Sequence, residues 1–317
     1  MSSAGQALPS GYTQRPATLD DIDAIGALFR RSDDRLGLRP ESAESFLRWA
    51  LGLPFVVLAR DTVVVDGGGG GPTAFACVMR DPAEVGSSLD WFGVVDPAHL
   101  DRSLGTWILG WAMTVADARE PDEGPFQRQT NIPALDEAAH RLLAVRGFTQ
   151  IRTMWSMHRD VRGIVRSQPP AGVMIRRFET ARDERTFWEV SEAAFEGHFG
   201  HVPTPYESWE ADWYRSHDWN PGRVLFAEVD GVVVGETAWV DAGDDGYIAS
   251  VGVLEAHRGR GIGTALLHAA FADIAEAGHT SATLGVDTEN ATGAVGLYRS
   301  VGMEPVRESH IFERTRP

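Results

Sequence analysis

Residues 251–264 have the sequence VGVLEAHRGRGIGT, which predicts a short strand, a basic loop with glycines at alternate positions, and the start of a helix. Glycine lets the backbone approach a ligand closely, so the amides at the helix start can converge on one anion. The helix dipole and the side chains of Arg258 and Arg260 add positive charge at the same place. The segment therefore predicts a phosphate-binding site.

Three kinds of phosphate loop compete for this segment. A P-loop needs a lysine after its second glycine, and the chain has none, because all 29 of its basic residues are arginine. A dinucleotide-binding loop places its first glycine directly after the strand, whereas residues 254–258 intervene here. The feature that favours this second alternative is Asp287, which follows the loop at about the distance of that fold's ribose-binding acid.

The third kind of loop rests on a family resemblance, which two motifs carry in the expected order. Arg258-x-x-Gly261-x-Gly263, after a strand ending Val-Gly-Val, resembles the coenzyme A pyrophosphate loop of the GNAT N-acetyltransferases. Residues 290–303 have the sequence NATGAVGLYRSVGM, which resembles that family's second signature of an asparagine opening a helix and then Y-x-x-x-G-M. Over the whole chain the resemblance is to the tandem-domain GNAT proteins, among them the mycothiol synthases.

The chain also contains two copies of the pattern. Residues 95–106 align without a gap with residues 253–264, at a constant offset of 158. The predicted fold class is α+β, with two tandem GNAT-like domains, each a mixed, largely antiparallel sheet flanked by helices. The predicted bounds are 12–160 for the first domain, 161–172 for a linker and 173–317 for the second domain.

Each half is predicted to contain a β-hairpin ahead of its phosphate loop. In the first half the two strands are 54–60 and 74–80, and their connection includes five consecutive glycines. In the second half the strands are 224–229 and 232–240, joined by an Asp-Gly pair that is typical of a tight hairpin turn.

The two copies of the loop differ in chemistry. The first copy has Leu100, Asp101 and Ser103 where the second has Arg258, Gly259 and Gly261. An aspartate repels a phosphate, and side chains at glycine positions obstruct a close approach of the backbone. The first domain is therefore predicted to be degenerate, and the second to bind acetyl-CoA.

The resemblance implies an acyltransferase, an acetyl-CoA-dependent N-acetyltransferase that moves the acetyl group directly to the amine of a small molecule. Two alternatives stay open: a non-catalytic coenzyme-A-binding sensor or interaction protein, and mycothiol-synthase-like acetylation of a thiol-pathway amine. Acetyl-CoA is then a co-substrate, and no metal is expected. The predicted cofactor-binding residues are Val251, Gly252, Val253, Arg258, Gly259, Arg260, Gly261, Ile262, Gly263, Thr264 and Asn290.

The resemblance implies the general acid, whereas the general base is nominated from its predicted place beside the acceptor cleft. Tyr298 stands at the position of the family's general acid, and a phenol of reference pKa about 10 stays protonated at neutral pH. We nominate Glu236 as general base, while Tyr247 occupies the place where the related tandem enzymes have a glutamate. Gly252 is expected to let its strand bulge and expose its amides. Five further residues near the predicted cleft stay open as bases: Asp241, Asp245, His198, His201 and His217.

Composition limits the partners. The net charge of −16 argues against nucleic acid and suits a cationic, amine-bearing acceptor. No apolar run approaches the roughly 20 residues that span a bilayer, and the first residues do not form a signal peptide. The single cysteine, Cys77, cannot form an internal disulfide. The sequence thus predicts a cytoplasmic protein without a membrane partner, as a monomer or a homodimer.

Overall fold

The computed structural model describes residues 7–39, 43–80, 89–119, 126–179, 182–210, 220–290 and 292–316. The chain forms two compact units. The N-terminal unit contains Met1–Thr153 and Arg307–Pro317, and the C-terminal unit contains Met154–Val306. In the described part of the chain no helix is both long and apolar enough to cross a membrane.

The N-terminal unit is a six-stranded sheet with helices. In sheet order its strands are β1 (Thr13–Arg15), β2 (Thr62–Asp66), β3 (Pro72–Met79), β4 (Leu89–Val95), β5 (Phe126–Pro133) and β12 (Glu304–Arg316), the last from Arg307 onward. Its helices are α1 (Ile22–Leu36), α2 (Ala43–Gly52), α3 (Leu58–Asp61), α4 (Leu104–Asp117) and α5 (Glu137–Ala144). Neighbouring strands are antiparallel except β4 and β5, which are parallel.

The C-terminal unit repeats this plan. In sheet order its strands are β7 (Val173–Arg177), β8 (Val224–Val229), β9 (Val232–Ala242), β10 (Asp245–Val253), β11 (Ser281–Asp287) and β6 (Thr149–Asp160), the last from Met154 onward. Its helices are α6 (Glu184–Phe195), α7 (Tyr206–Trp209), α8 (Ile262–Glu276) and α9 (Ala294–Ser300). Among the described strands of this unit, β10 and β11 pair in parallel and the other neighbours are antiparallel. The α+β class predicted from the sequence is confirmed.

Two helices of the C-terminal unit cover opposite faces of its sheet. Phe187 of α6 packs in one buried cluster with Phe226 of β8 and Ala238 of β9. The next residue of β9, Trp239, belongs to another cluster with the apolar face of α8. Successive side chains of a strand point to opposite faces, so α6 and α8 lie on the two sides of β9.

The predicted β8–β9 hairpin is confirmed. Its connection is the pair Asp230 and Gly231, with φ angles of +51° and +77°. Two consecutive positive φ angles are what a two-residue hairpin turn of right-handed twist requires, which is why Asp-Gly is favoured there.

The prediction of a strand at residues 54–60 is wrong. This stretch contains the start of α3, and the strand is β2, from Thr62 to Asp66. The reason is Asp61, which is fully buried, accepts a hydrogen bond from the amide of Val57 at 2.8 Å and pairs with Arg60. This contact closes a helical turn, so the extended chain begins only after it.

In each unit, the final strand of the sheet is a segment that the sequence repeat assigns to the other domain. Residues 154–160 of β6 pair with the whole of β11 in the C-terminal unit. Residues 309–316 of β12 pair with β5 in the N-terminal unit. The bounds predicted from the sequence, 12–160 and 173–317, assign both segments to the opposite halves.

Candidate active site

The strands β10 and β11 separate as they approach the glycine loop. Their parallel pairing covers only Asp245–Tyr247 against Ser281–Thr283. Beyond Tyr247, β10 continues to Val253 with β9 as its partner on one side. The described residues give it no strand partner on its other side, so an edge of β10 is open between Ile248 and Val253.

The bulge of β10 lies at Ala249, where the pairing with β9 shifts between Ile248 and Ser250. The bulge predicted at Gly252 is therefore wrong, because Gly252 pairs in register with Glu236. A Cβ atom on Gly252 would lie 2.8 Å from Cβ of Ala194 and 3.0 Å from Oε1 of Glu236. Glycine is required here by the close approach of α6 and of a carboxyl group.

The loop after β10 presents a run of unbonded amides. The amide of Arg258 donates to the carbonyl of Glu255 at 3.2 Å, and that of Ala265 donates to Gly261 at 3.0 Å. Within the described residues, the six amides from Gly259 to Thr264 make no hydrogen bond to another backbone carbonyl. Gly259 and Gly261 have φ angles of +73° and +77°, which turn the chain so that these amides gather at the start of α8. The arrangement fits a phosphate group.

Other predicted residues of this site have local structural roles. A Cβ on Gly263 would lie 3.1 Å from Leu297, so this glycine permits the contact of α8 with α9. The side-chain oxygen of Asn290 accepts from the amide of Thr292 at 2.8 Å, which closes the turn before α9. Arg260 is exposed, with Nη1 3.1 Å from Nδ1 of His257.

Glu236 is fully buried on β9, beneath the end of α6. The hydroxyl of Ser250 donates to its Oε2 at 2.8 Å, while Oε1 has no hydrogen-bond partner among the described residues. Burial raises the pKa of Glu236 to about 8, and the hydrogen bond from Ser250 partly offsets this rise. Ser250 is not among the site residues predicted from the sequence, although strand alternation places it on the same face as Gly252.

Tyr298 lies on α9, almost entirely buried among residues of the α8 cluster. Burial, together with the charges of Tyr247 and Glu236, raises the pKa of Tyr298 to about 12. The phenol therefore keeps its proton throughout the neutral range.

The remaining candidate bases make other contacts. Asp241 pairs with Arg223 at 2.5 Å and with His279 at 3.0 Å, and Asp245 accepts from Ser281. His198 lies 3.0 Å from the carbonyl of Phe195, and His201 lies 3.5 Å from Glu192. His217 lies outside the described residues. Among those described, no three His, Cys, Asp or Glu side chains form a group that could hold a metal.

The buried carboxyl predicts a pH-dependent stability. Its folded-state pKa of about 8 lies above the ordinary glutamate value of 4.5, so between these values the folded chain binds a proton that the unfolded chain has lost. The contribution of Glu236 to the free energy of unfolding then falls by about 1.4 kcal/mol per pH unit as pH rises through this window. We expect Glu236→Gln to raise the melting temperature relative to wild type by several degrees more at pH 9 than at pH 5. Glu255→Gln, at an exposed position, is the control, and an equal difference at both pH values for Glu236→Gln would contradict the expectation.

The N-terminal unit keeps the backbone of this site without its chemistry. Asp101 and Ser103 have φ angles of +59° and +63°, so the degenerate loop follows the path of its glycine-containing copy. Its β4 pairs with β3 without a bulge. Opposite Val94, which aligns with Gly252, stands the fully buried Phe75 in place of Glu236. This unit thus lacks the buried acid as well as the arginine and glycines.

Comparison with known proteins agrees with this geometry. The model of the Acetyltransferase (GNAT) family matches residues 186–303. The chain is 33% identical over 298 residues to mycothiol acetyltransferase of Thermobispora bispora, an alignment that covers 90% of this chain and 93% of the relative. The chain belongs to the GNAT acetyltransferase family. It is therefore an acyltransferase, as the two motifs predicted.

Solved GNAT structures share the two-domain plan of this acetyltransferase. A GCN5-related N-acetyltransferase from Sphaerobacter thermophilus superposes with a TM-score of 0.84 at 30% identity, covering 98% of each chain. A tandem GNAT protein from the clavulanic acid biosynthesis pathway superposes with a TM-score of 0.69 at 17% identity, covering 96% of this chain and 99% of the other. The second likeness shows the fold alone. The prediction of two tandem GNAT-like domains is confirmed.

Proposed function

We propose that the C-terminal unit of this acetyltransferase binds acetyl-CoA and transfers the acetyl group directly to the amine of a small molecule. The observation that carries the proposal is the run of unbonded amides from Gly259 to Thr264, placed where β10 and β11 separate. An anion cradle beside an open strand edge suits a ligand with a pyrophosphate at one end and amide groups along its arm.

In this proposal, acetyl-CoA is bound mainly by backbone groups and less by side chains. The amides of Gly259 to Thr264 bind the pyrophosphate, with the exposed Arg260 as a nearby cation. The open edge of Val251–Val253 pairs with the amide groups of the pantetheine arm, and one strand amide polarises the thioester carbonyl. Acetyl-CoA supplies the activated acetyl group when bound.

Glu236 is the proposed proton acceptor. An ammonium must lose a proton before its nitrogen can attack, and a base works best when its pKa lies near the working pH. The pKa of about 8 for Glu236 meets that condition, and its Oε1 has no partner among the described residues. The proton reaches the carboxylate from the acceptor directly or through one water molecule.

Tyr298 is the proposed proton donor to the leaving thiolate, because its raised pKa keeps the phenol protonated. The C-terminal unit has no cysteine, since Cys77 is in the N-terminal unit, and this favours direct attack over transfer through a cysteine thioester. Burial also raises the pKa of the Cys77 thiol, and a lone buried thiol agrees with the cytoplasmic location that we propose.

The acceptor class that we propose first is the amine precursor of mycothiol. The support is the likeness to mycothiol acetyltransferase of Thermobispora bispora along nine-tenths of this chain. The net charge of −16 is compatible with this or with another cationic amine.

The test is thioester consumption with a panel of amines that includes this precursor, aminosugars, amino acids, antibiotics and polyamines. We expect Tyr298→Phe to lower kcat by about a hundredfold or more on the accepted amine, because the thiolate must then leave without an acid. Tyr12→Phe, which removes a phenol from the N-terminal unit, is the control. Binding of acetyl-CoA without acetylation of any amine in the panel would contradict the proposed activity.

A further inference from the structure

The side chain of Arg258 is bonded to protein carbonyls. Its Nε donates to the carbonyl of Val253 at 3.0 Å, and its Nη2 donates to the carbonyl of Ala194 at 3.0 Å. The first acceptor is the last residue of β10, and the second lies in the last turn of α6. One guanidinium therefore joins the entrance of the glycine loop to the end of a helix that is distant in sequence.

The bond to α6 falls at a helix end that needs a donor. The last carbonyls of a helix have no intrahelical partner, and a cation there is favoured by the helix dipole. The carbonyl of Phe195 is bonded by the amide of His198 at 2.9 Å, while that of Ala194 is bonded by Arg258. The arginine thus completes the C-terminal end of α6.

The same end of α6 packs over the buried carboxyl group of Glu236, and we call this end its cover. Ala194 lies so close to β10 that its Cβ would be 2.8 Å from a Cβ on Gly252. Phe195 lies against the same position, and Oε1 of Glu236 is directly beneath it. Whatever holds the last turn of α6 in place therefore also fixes the surroundings of Glu236.

Two comparisons within the chain distinguish the hydrogen-bonding role of Arg258 from a contribution of positive charge alone. Arg258 and Arg260 are both exposed, but Arg260 contacts His257 and, among the described residues, donates to no carbonyl. In the degenerate copy the residue aligned with Arg258 is Leu100, and the loop nevertheless keeps the same backbone path. The arginine is thus not needed to shape the loop.

We infer that Arg258 is a positioning residue. Its side chain joins the end of α6 to the glycine loop and is not a ligand of the pyrophosphate of acetyl-CoA. The coupling to the donor rests on the proposed function. When an anion binds the amides of Gly259 to Thr264, the motion of the loop is restricted. The hydrogen bonds of Arg258 then restrict the motion of the last turn of α6 as well. Binding of the donor then stabilises the cover over Glu236.

The experiment compares hydrogen–deuterium exchange at the end of α6, residues 192–201, in wild type, Arg258→Leu and Arg258→Lys, with and without coenzyme A. Without ligand, we expect exchange there to be about tenfold faster in Arg258→Leu, and Arg258→Lys to recover part of the protection because an ammonium still donates to a carbonyl. Calorimetry should show coenzyme A affinity of Arg258→Leu within about threefold of wild type. Coenzyme A should slow exchange at residues 192–201 in wild type and fail to do so in Arg258→Leu.

Arg260→Leu is the matched control, since it removes the same charge from the same loop and leaves both carbonyl bonds in place. It should leave ligand-free exchange at α6 unchanged. Loss of a charged hydrogen bond to phosphate lowers affinity by about tenfold to a hundredfold, so a loss of this size in Arg258→Leu would overturn the inference. Unchanged α6 exchange in Arg258→Leu would overturn it too. If wild type binds no coenzyme A, the proposed function fails, and the ligand-free comparison still decides whether the tie exists.

Discussion

Gly261→Asp is expected to weaken acetyl-CoA binding by about a hundredfold or more and to abolish the rise in melting temperature that the ligand gives wild type. The substitution places a carboxylate at the start of α8, among the amides that we propose hold the pyrophosphate. Two like charges about 4 Å apart repel by about 4 kcal/mol at an effective dielectric constant of 20. The fold should survive, because Ser103 occupies the same left-handed conformation in the N-terminal copy.

Gly261→Asn is the matched control for this experiment, since its side chain has nearly the same shape and no charge, and asparagine tolerates a positive φ. Calorimetric titration with acetyl-CoA and thermal unfolding with and without ligand give the two readouts. Equal losses in the asparagine and aspartate variants would assign the effect to steric obstruction, and wild-type affinity in Gly261→Asp would refute the donor site at this loop.

Glu236→Gln is expected to lower kcat/KM for the accepted amine by about a hundredfold to ten-thousandfold, the range typical of a lost general base. The pH profile is the more specific readout. In wild type the carboxylate fraction increases as pH rises through a pKa of about 8, so kcat/KM should increase up to that pH and then level off. The glutamine variant should lose the step that belongs to this group, while its affinity for acetyl-CoA stays near that of wild type.

Ser250→Ala provides a control that keeps the carboxyl group. The hydrogen bond from Ser250 lowers the pKa of Glu236, so its removal should move the midpoint of the profile to higher pH. A midpoint that does not move, or a glutamine variant with the wild-type profile, would mean that another group accepts the proton.

The sequence predicts the parts of this molecule that local chemistry decides. Glycines with positive φ, an Asp-Gly turn and a helix rich in alanine and leucine mark the loop, the β8–β9 hairpin and α8 whatever lies around them. The same applies to the division into two copies, because the offset between them is visible over a dozen consecutive residues.

Features that depend on distant contacts were not predictable in the same way. The glycine at 252 looks like a site for a bulge, but its cause is the approach of Ala194 and Glu236 from other elements. The first β-strand of the hairpin in the N-terminal unit was misplaced because Asp61, which is buried and bonded by Arg119 from 58 residues away, favours a helical turn where the apolar pattern favours a strand. The role that we infer for Arg258 depends on a carbonyl 64 residues away, which a motif cannot reveal.

The position of Phe75 shows that one constant offset between the two halves pairs the wrong residues on this strand. A constant offset of 158 places Val78 against Glu236, whereas the strand pairing places Phe75 there. Phe75 lies 19 positions before its partner Val94, whereas Glu236 lies 16 positions before its partner Gly252, so the first half has three more residues between the two strands. The replacement of the buried acid by phenylalanine therefore becomes visible only in the register of the sheets.

The exchange of end strands constrains the order in which this protein is completed during synthesis. The sheet of the N-terminal unit acquires β12 only after the ribosome has made the whole C-terminal unit, so the first half must wait, incomplete, for the second. Conversely, β11 is paired along its length with residues 154–160, which precede the other strands of the C-terminal unit in the chain. A gene that lost residues 1–160 would leave β11 with an unpaired edge, and exposed strand edges are prone to aggregation. Selection can therefore retain those residues for the strand that they contribute to the C-terminal sheet.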